Sequence, residues 1–486
     1  MFFRPPLTMN PLLPGSAAMG EFPAAVGMKS RVRLILLALA LSLAILCGCG
    51  GPRPGIADLQ HYPQDLTVYL RPETAALPLV PPETHAALDA DYDARFFAPW
   101  HAPAATLTAA EVSWGVAAYG GEQGYGENLQ PLSPQEWSGL VAAQRMETYP
   151  SLARPAITVR NTSFRVLPTQ RPFFRSPARP GEGYPFDYFQ NSAVWAGTPL
   201  LVTHRSADGA WFFAEAGFAY GWLPAADIGW AGTKFRSAYE SGRYAAILAD
   251  EVSLQDETGR FLSHAHIGAL FPAVAGSDQD LSLLVPARDA DGEAVIRRAR
   301  VAAPQAALKP LPLTPAGLAR IGNAMLGQPY GWGGLLENRD CSATLRDLFT
   351  PFGLWLPRNS RAQATSAGTL LDLADMTPDR KRSILLEEGI PFYTLVWLPG
   401  HIGLYLGPEA AGGEPLLLHN LWGVRTRSWA GREGRALVGR LAVTSLHPGE
   451  ERLDVSRNSF YRRVLGISVL PGVVRKQSSP MPVPES

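Results

Sequence analysis

Short apolar runs separated by turn residues dominate the middle of the chain. Ala156 to Val159, Pro199 to Thr203 and Trp211 to Ala214 are such runs, with Ser206 to Gly209 as turn material, and they predict a small β-barrel over 155–232. A second β-rich stretch of similar size, 235–308, predicts another. The period then changes. Thr314-Pro315 makes a helix start, and Leu318, Ile321, Met325 and Leu326 fall on one helical face before Gly327 stops it. After a glycine-rich turn, Leu345, Leu348, Phe349 and Phe352 mark a second helix, with Cys341 at or just before its first turn. Two strands follow, about 400–406 and 415–420. In the first, His401, Gly403 and Tyr405 alternate with Ile402, Leu404 and Leu406. A register matching Leu404 with Leu416 also matches His401 with His419 and turns both rings to one side. Upstream, Ser133-Pro134-Gln135-Glu136 has capping-box spacing and predicts a short helix. Residues 50–103 are rich in proline and poor in periodic runs, the mark of a tether that wraps on the body or stays mobile.

Composition narrows the class. Hydrophobic residues at 46% and charged ones at 18% exclude wholesale disorder, and 44 prolines with 47 glycines agree with many turns and short strands. The length of 486 residues suits about three domains, and the expected class is α+β. Lysine plus arginine (43) balances aspartate plus glutamate (43), which argues against a nucleic-acid partner. From Met28, the cations Lys29, Arg31 and Arg33 precede an apolar run from Leu34 to Cys47, an export-signal pattern shorter than the roughly 20 residues of a spanning helix. Residues 1–27 are then expected to lie upstream of the true start. The tetrad Leu46-Cys47-Gly48-Cys49 resembles a bacterial lipobox, so Cys49 is expected to carry the lipid that holds the protein on a membrane face. Gly50 after it points, by resemblance to lipoprotein sorting, to the periplasmic face of the outer membrane.

The cysteine count is three, Cys47, Cys49 and Cys341, which excludes a disulfide framework and leaves Cys341 as the lone thiol of the exported part. A cysteine at a helix start faces unpaired amides that favour the thiolate, although a free cysteine is as often a small buried hydrophobe. Its neighbours Tyr330 to Gly334, Arg339, Asp340 and Ser342 suit a site better than a core. A nucleophilic thiol needs a base held in one tautomer by a third group, and His401 with His419 supplies that arrangement. His264-Ala265-His266 reads as surface decoration. No metal and no cofactor are expected.

The ordered blocks Gln328-Pro329-Tyr330-Gly331-Trp332-Gly333, Arg339-Asp340-Cys341-Ser342, Pro357 to Gln363, Pro399 to Gly403 and His419-Asn420 resemble the NlpC/P60 papain-like cysteine peptidases. The segments Asp208 to Phe213 and Gly221 to Pro224 resemble a bacterial SH3-like domain, and Phe186 to Gln190 with Gly197 to Pro199 resemble the first barrel of the subgroup with SH3-like domains ahead of the peptidase. The resemblance implies this division: 1–49 upstream residues and lipoprotein signal, 50–154 tether and N-terminal helical or extended clip, 155–232 and 235–308 SH3-like barrels, 310–470 peptidase domain, 471–486 loose tail. It implies a monomeric, lipid-anchored endopeptidase that cleaves the γ-D-glutamyl–diamino acid bond of peptidoglycan stem peptides. Cys341 would be the nucleophile, His401 the base and then acid, and His419 its orienting group. Asp340 and Ser342 would hold the free amino terminus of an L-Ala-γ-D-Glu stem, with Tyr330 lining that subsite and Tyr188, rather than Tyr184, closing it. Two other classes stand beside it, a non-catalytic wall-binding scaffold and a zinc hydrolase using Cys341, His401 and His419 as ligands.

Overall fold

The run-and-turn pattern of the middle of the chain folds into two β-rich units. Between Arg154 and Trp230 seven strands form one antiparallel sheet, curled around Ala156, Phe164, Val194, Leu200, Val202 and Ile228. Between Tyr244 and Leu308 a five-stranded and a two-stranded sheet enclose Ile247, Leu254, Phe271 and Val285. The computed structural model describes residues 55–274, 279–410, 413–457 and 459–473. The export signal, Cys49 and the tail from 474 lie outside the described residues.

Of the two expectations for 50–103, the structure takes the first, a segment wrapped on the body, and adds a helix the pattern did not predict. From residue 55 the segment is folded onto the body, and Pro82–His101 is a 20-residue helix (α1). Its apolar side chains bunch in the second half. Tyr92, Phe96, Phe97 and Trp100 enter the same core as Leu318, Leu345 and Phe349, and the Trp100 indole donates to the Ala156 carbonyl at 2.7 Å. Proline hides this helix from a periodicity reading: Pro81 and Pro82 open it, where a missing N–H costs nothing, and Pro99 sits in its last turn. The capping box forms as its spacing predicts, with Ser133 and Glu136 exchanging both bonds at the start of Pro134–Ala143 (α2).

In the last unit, Pro315–Met325 (α3) buries Leu318, Ile321 and Met325, and Cys341–Phe349 (α4) is buried along its length. Behind α4 lies a six-stranded antiparallel sheet, Thr369–Asp372 (β1), Thr394–Leu398 (β2), His401–Pro408 (β3), Pro415–Arg427 (β4), Glu433–Ser445 (β5) and Gly466–Val469 (β6), in the order β1-β6-β2-β3-β4-β5. Helix α4 packs on β3 and β4. The β3–β4 register differs from the expected one: Leu404 faces Leu418, not Leu416. The strands stay paired further into the glycine-rich connection, to Pro408 with Pro415, and a bulge between Tyr405 and Gly407 absorbs one residue. Because the net shift is two residues, each side chain keeps its face.

Candidate active site

Asp340 is the N-cap of α4; its side chain accepts from the Ala343 amide at 2.8 Å. This capping bond sets Cys341 as the first helical residue, as its place in the pattern predicts. The thiol is almost buried, at 6% exposure. Burial first, and then the Asp340 carboxylate, push it up to about 12, while the Ile402 backbone amide, Arg358 and the Ser342 amide pull the other way. At rest the sulfur therefore holds its proton.

His419 lies fully buried on β4 opposite Gly403, where an added Cβ would stand 3.0 Å from the His419 Cβ. The small residue leaves room for the ring to reach diagonally, two residues along β3, to His401. His401 Nε2 and His419 Nδ1 are 2.9 Å apart. On the other side His419 Nε2 is 2.9 Å from Thr444 Oγ1 of β5, again a diagonal step, since His419 faces Ala442. The Thr444 hydroxyl donates to the Ser445 carbonyl at 2.7 Å, which can only accept. Thr444 therefore accepts from His419 Nε2–H, His419 Nδ1 accepts from His401 Nε2–H, and Nδ1 of His401 is left as the basic nitrogen. Burial, then Arg463, bring His401 down to about 4 against the pull of Asp340, and burial with His401 holds His419 well below its ordinary value. Both imidazoles are neutral at pH 7. With both nitrogens of His419 engaged in this chain, it has none to offer a zinc ion, which removes the three-ligand reading.

The other expected site residues gather here too. Asp340 pairs with Arg358 at 2.7 Å, and the Ser342 hydroxyl donates to Asp340 at 3.0 Å while accepting from Arg358 at 3.1 Å. A cavity of ≈ 370 Å³ is lined by Cys341, Asp340, Ser342, Tyr330 and Tyr188, and by Trp114 and Tyr119 from the N-terminal segment. Tyr188 stands 5.5 Å from the Trp332 ring; Tyr184 is 65% exposed and does not line this cavity. Gly400 is shared with a second cavity of ≈ 650 Å³ whose wall includes His401, Tyr330 and Trp332.

Sequence reasoning missed three groups. Thr444 lies on a strand it did not predict. Arg358 stood within a quoted block, and the need of an acid beside a thiol for a counter-charge was the signal for it. The third is the bracing of Arg339, which donates to Asp347 at 2.7 Å, to Asp250 at 2.8 and 2.9 Å and to the Ile267 carbonyl at 2.7 Å. Asp250 and Ile267 belong to the second barrel, so that barrel holds the residue two before the thiol. His266 is part of this brace. It is 3% exposed, 2.8 Å from Glu337 and 3.5 Å from Asp250, a correction to its reading as surface decoration. Burial would lower it, but Asp250 and Glu337 raise it to about 9.

Comparison with known proteins agrees with this architecture. Four family models match in order: the NLPC_P60 stabilising domain, N term, over 36–149; an SH3 domain of SH3b1 type over 172–224; an SH3 domain of SH3b2 type over 233–277; and the NlpC/P60 family over 327–432. A solved structure described as a novel NlpC/P60 endopeptidase from Photobacterium damselae subsp. piscicida shares 26% identity, covering 84% of this chain and 97% of its own, with a TM-score of 0.76. An NlpC/P60 family protein from Bacillus cereus is 15% identical over 65% of this chain and 100% of its own, with a TM-score of 0.44. No curated protein matches. The chain carries a catalytic domain of the NlpC/P60 family, a class of cysteine peptidases, with that family's N-terminal stabilising domain and two SH3 domains ahead of it.

Proposed function

We propose that this protein is a γ-D-glutamyl–diamino acid endopeptidase acting on peptidoglycan stem peptides whose L-Ala amine is free. The observation that carries the reading is the Asp340 carboxylate, 13% exposed, beside Cys341 in one cavity. Its Oδ1 already accepts from Ala343, Ser342 and Arg358, whereas Oδ2 accepts only from Arg358. An ionised carboxylate offers about four lone-pair directions, so Oδ2 keeps one for an ammonium. The Ser342 oxygen keeps one as well. Trp114, Tyr119 and Tyr188 line the same cavity, and a short peptide with a free amine suits it better than one continuing into glycan.

The chemistry follows from the tautomers. Nδ1 of His401 takes the Cys341 proton as sulfur attacks the γ-carbonyl carbon of D-Glu, and the oxyanion meets the helix-start amides. His401 Nδ1–H then protonates the leaving amine as the C–N bond breaks. Water, deprotonated by His401, hydrolyses the thioester and restores the thiol. A substrate ammonium against Asp340 offsets the charge that holds the thiol pKa up, so binding itself eases proton transfer. A non-catalytic scaffold would have no use for this relay. The same reading puts the enzyme on the cell envelope through a lipid at Cys49, a step supported by the sequence pattern alone.

The test compares L-Ala-γ-D-Glu-diamino acid tripeptide with its N-acetylated form. Wild type should cleave only the free-amine peptide, and Cys341→Ala should cleave neither while folding normally. Equal turnover of the two peptides would remove the basis for the amine subsite.

A further inference from the structure

In the second cavity, which His401 lines and Asp340 does not, the charge of the cleft reverses. The ≈ 650 Å³ cavity is lined by Arg425 and Arg427 of β4, Arg435 of β5 and Arg463 of the helix Ser459–Arg463, against two carboxylates, Glu433 and Asp454. Arg425 pairs with Glu433. Arg435 donates to the Gly434 carbonyl at 2.8 Å and Arg463 to the Pro399 carbonyl at 3.2 Å. Among the described residues no carboxylate forms an ion pair with either. The guanidinia oppose one another: burial and then Arg425 hold Arg435 below its ordinary value, and burial, Arg425 and Arg435 do the same to Arg463. Like charges gathered in a partly desolvated wall are costly until an anion joins them.

The chain approaches closely to build this wall. Gly181, at φ +84°, lies under the Arg435 guanidinium, and an added Cβ there would be 3.2 Å from Nη2. The contact with Pro399 sets Arg463 two residues from His401, whose ring lines the same cavity. This is the side on which His401 must deliver its proton to the leaving amine, since the acyl part occupies the Asp340 side.

We propose that Arg425, Arg435 and Arg463 form the leaving-side subsite and seat a carboxylate of the first residue released. The inference rests on the peptidase reading above. A guanidinium fork matches a carboxylate in two parallel hydrogen bonds, whereas a side chain ending in a bare ammonium would face like charge. The subsite therefore selects a diamino acid bearing a carboxylate on its side chain or at its free C terminus over an amidated or purely cationic one.

Four tripeptides test this: L-Ala-γ-D-Glu-diaminopimelate, the same with its side-chain carboxylate amidated, the same with its terminal carboxylate amidated, and the L-lysine analogue. In wild type, at least one amidation should lower kcat/KM tenfold or more, and its identity tells which carboxylate is seated. Arg435→Gln and Arg463→Gln should lose a similar factor on the acid peptide and little on that amide, whose turnover also reports that the variants are folded. Equal wild-type kcat/KM on all four, or variants that slow every peptide by one factor, would overturn the subsite and leave the peptidase reading intact. Wild type that cleaves none of them, or Cys341→Ala that cleaves them all, would overturn both.

Discussion

Thr444→Val isolates the one hydroxyl that sets the tautomers of the relay. Valine keeps the shape and removes the acceptor, so the His419 Nε2–H, in a site where both Thr444 and His419 are 0% exposed, is left without a partner. An unsatisfied buried donor costs ~1–3 kcal/mol. His419 can escape by moving its proton to Nδ1. His401 Nε2 must then accept, and the His401 proton shifts to Nδ1, the nitrogen that has to take the proton from Cys341. The productive tautomer becomes a minor state by the same ~1–3 kcal/mol, and at about 1.4 kcal/mol per decade kcat/KM falls roughly 5- to 150-fold. The assay is tripeptide hydrolysis beside a thermal melt, with Thr444→Ser as rescue because serine restores the acceptor. Ring-nitrogen shifts of labelled histidine report the tautomers directly. A folded Thr444→Val enzyme within twofold of wild type, with the His401 proton still on Nε2, would refute the relay.

Two further outcomes follow from the surrounding charges. Arg358→Gln leaves the mostly enclosed Asp340 carboxylate without its cation, and breaking a buried pair costs ~3–5 kcal/mol, less here because the two side chains are 10% and 13% exposed; a denaturation midpoint unchanged from wild type would contradict the pairing at 2.7 Å. His266, raised to about 9 from its ordinary 6.5, binds its proton more tightly folded than unfolded, so its stabilisation is complete below pH 6.5 and is lost as pH rises through 9. At about 1.36 kcal/mol per unit this is at most ~3 kcal/mol, less because Glu337 is half-exposed. His266→Gln should flatten melting temperature against pH over that window, and a slope equal to wild type would count against the brace.

Legibility divided along the range of the interactions. Helix starts at Ser133, Thr314 and Asp340 were readable because a cap and a period act over a few residues. So was the face shared by His401 and His419, since strand alternation survives any even shift of register. The shift itself was not, because it came from a bulge and from how far β3 and β4 stay paired. Helix α1 was missed because its prolines obscured the period and its aromatic side chains crowd into the second half, where they pack on one another and on Trp355, Tyr244 and Phe235 from distant parts of the chain.

What the amino-acid order determined by itself was the chemical inventory and its local setting: one thiol at a helix start, two imidazoles on one side of neighbouring strands, an acid beside the thiol. What only the tertiary structure decided was the state of those groups. Asp250 reaches Arg339 across 89 residues and Thr444 reaches His419 across 25, and such contacts decide which nitrogen holds a proton and which charge is answered. Burial and hydrogen bonding act through space, so partners distant in sequence set them.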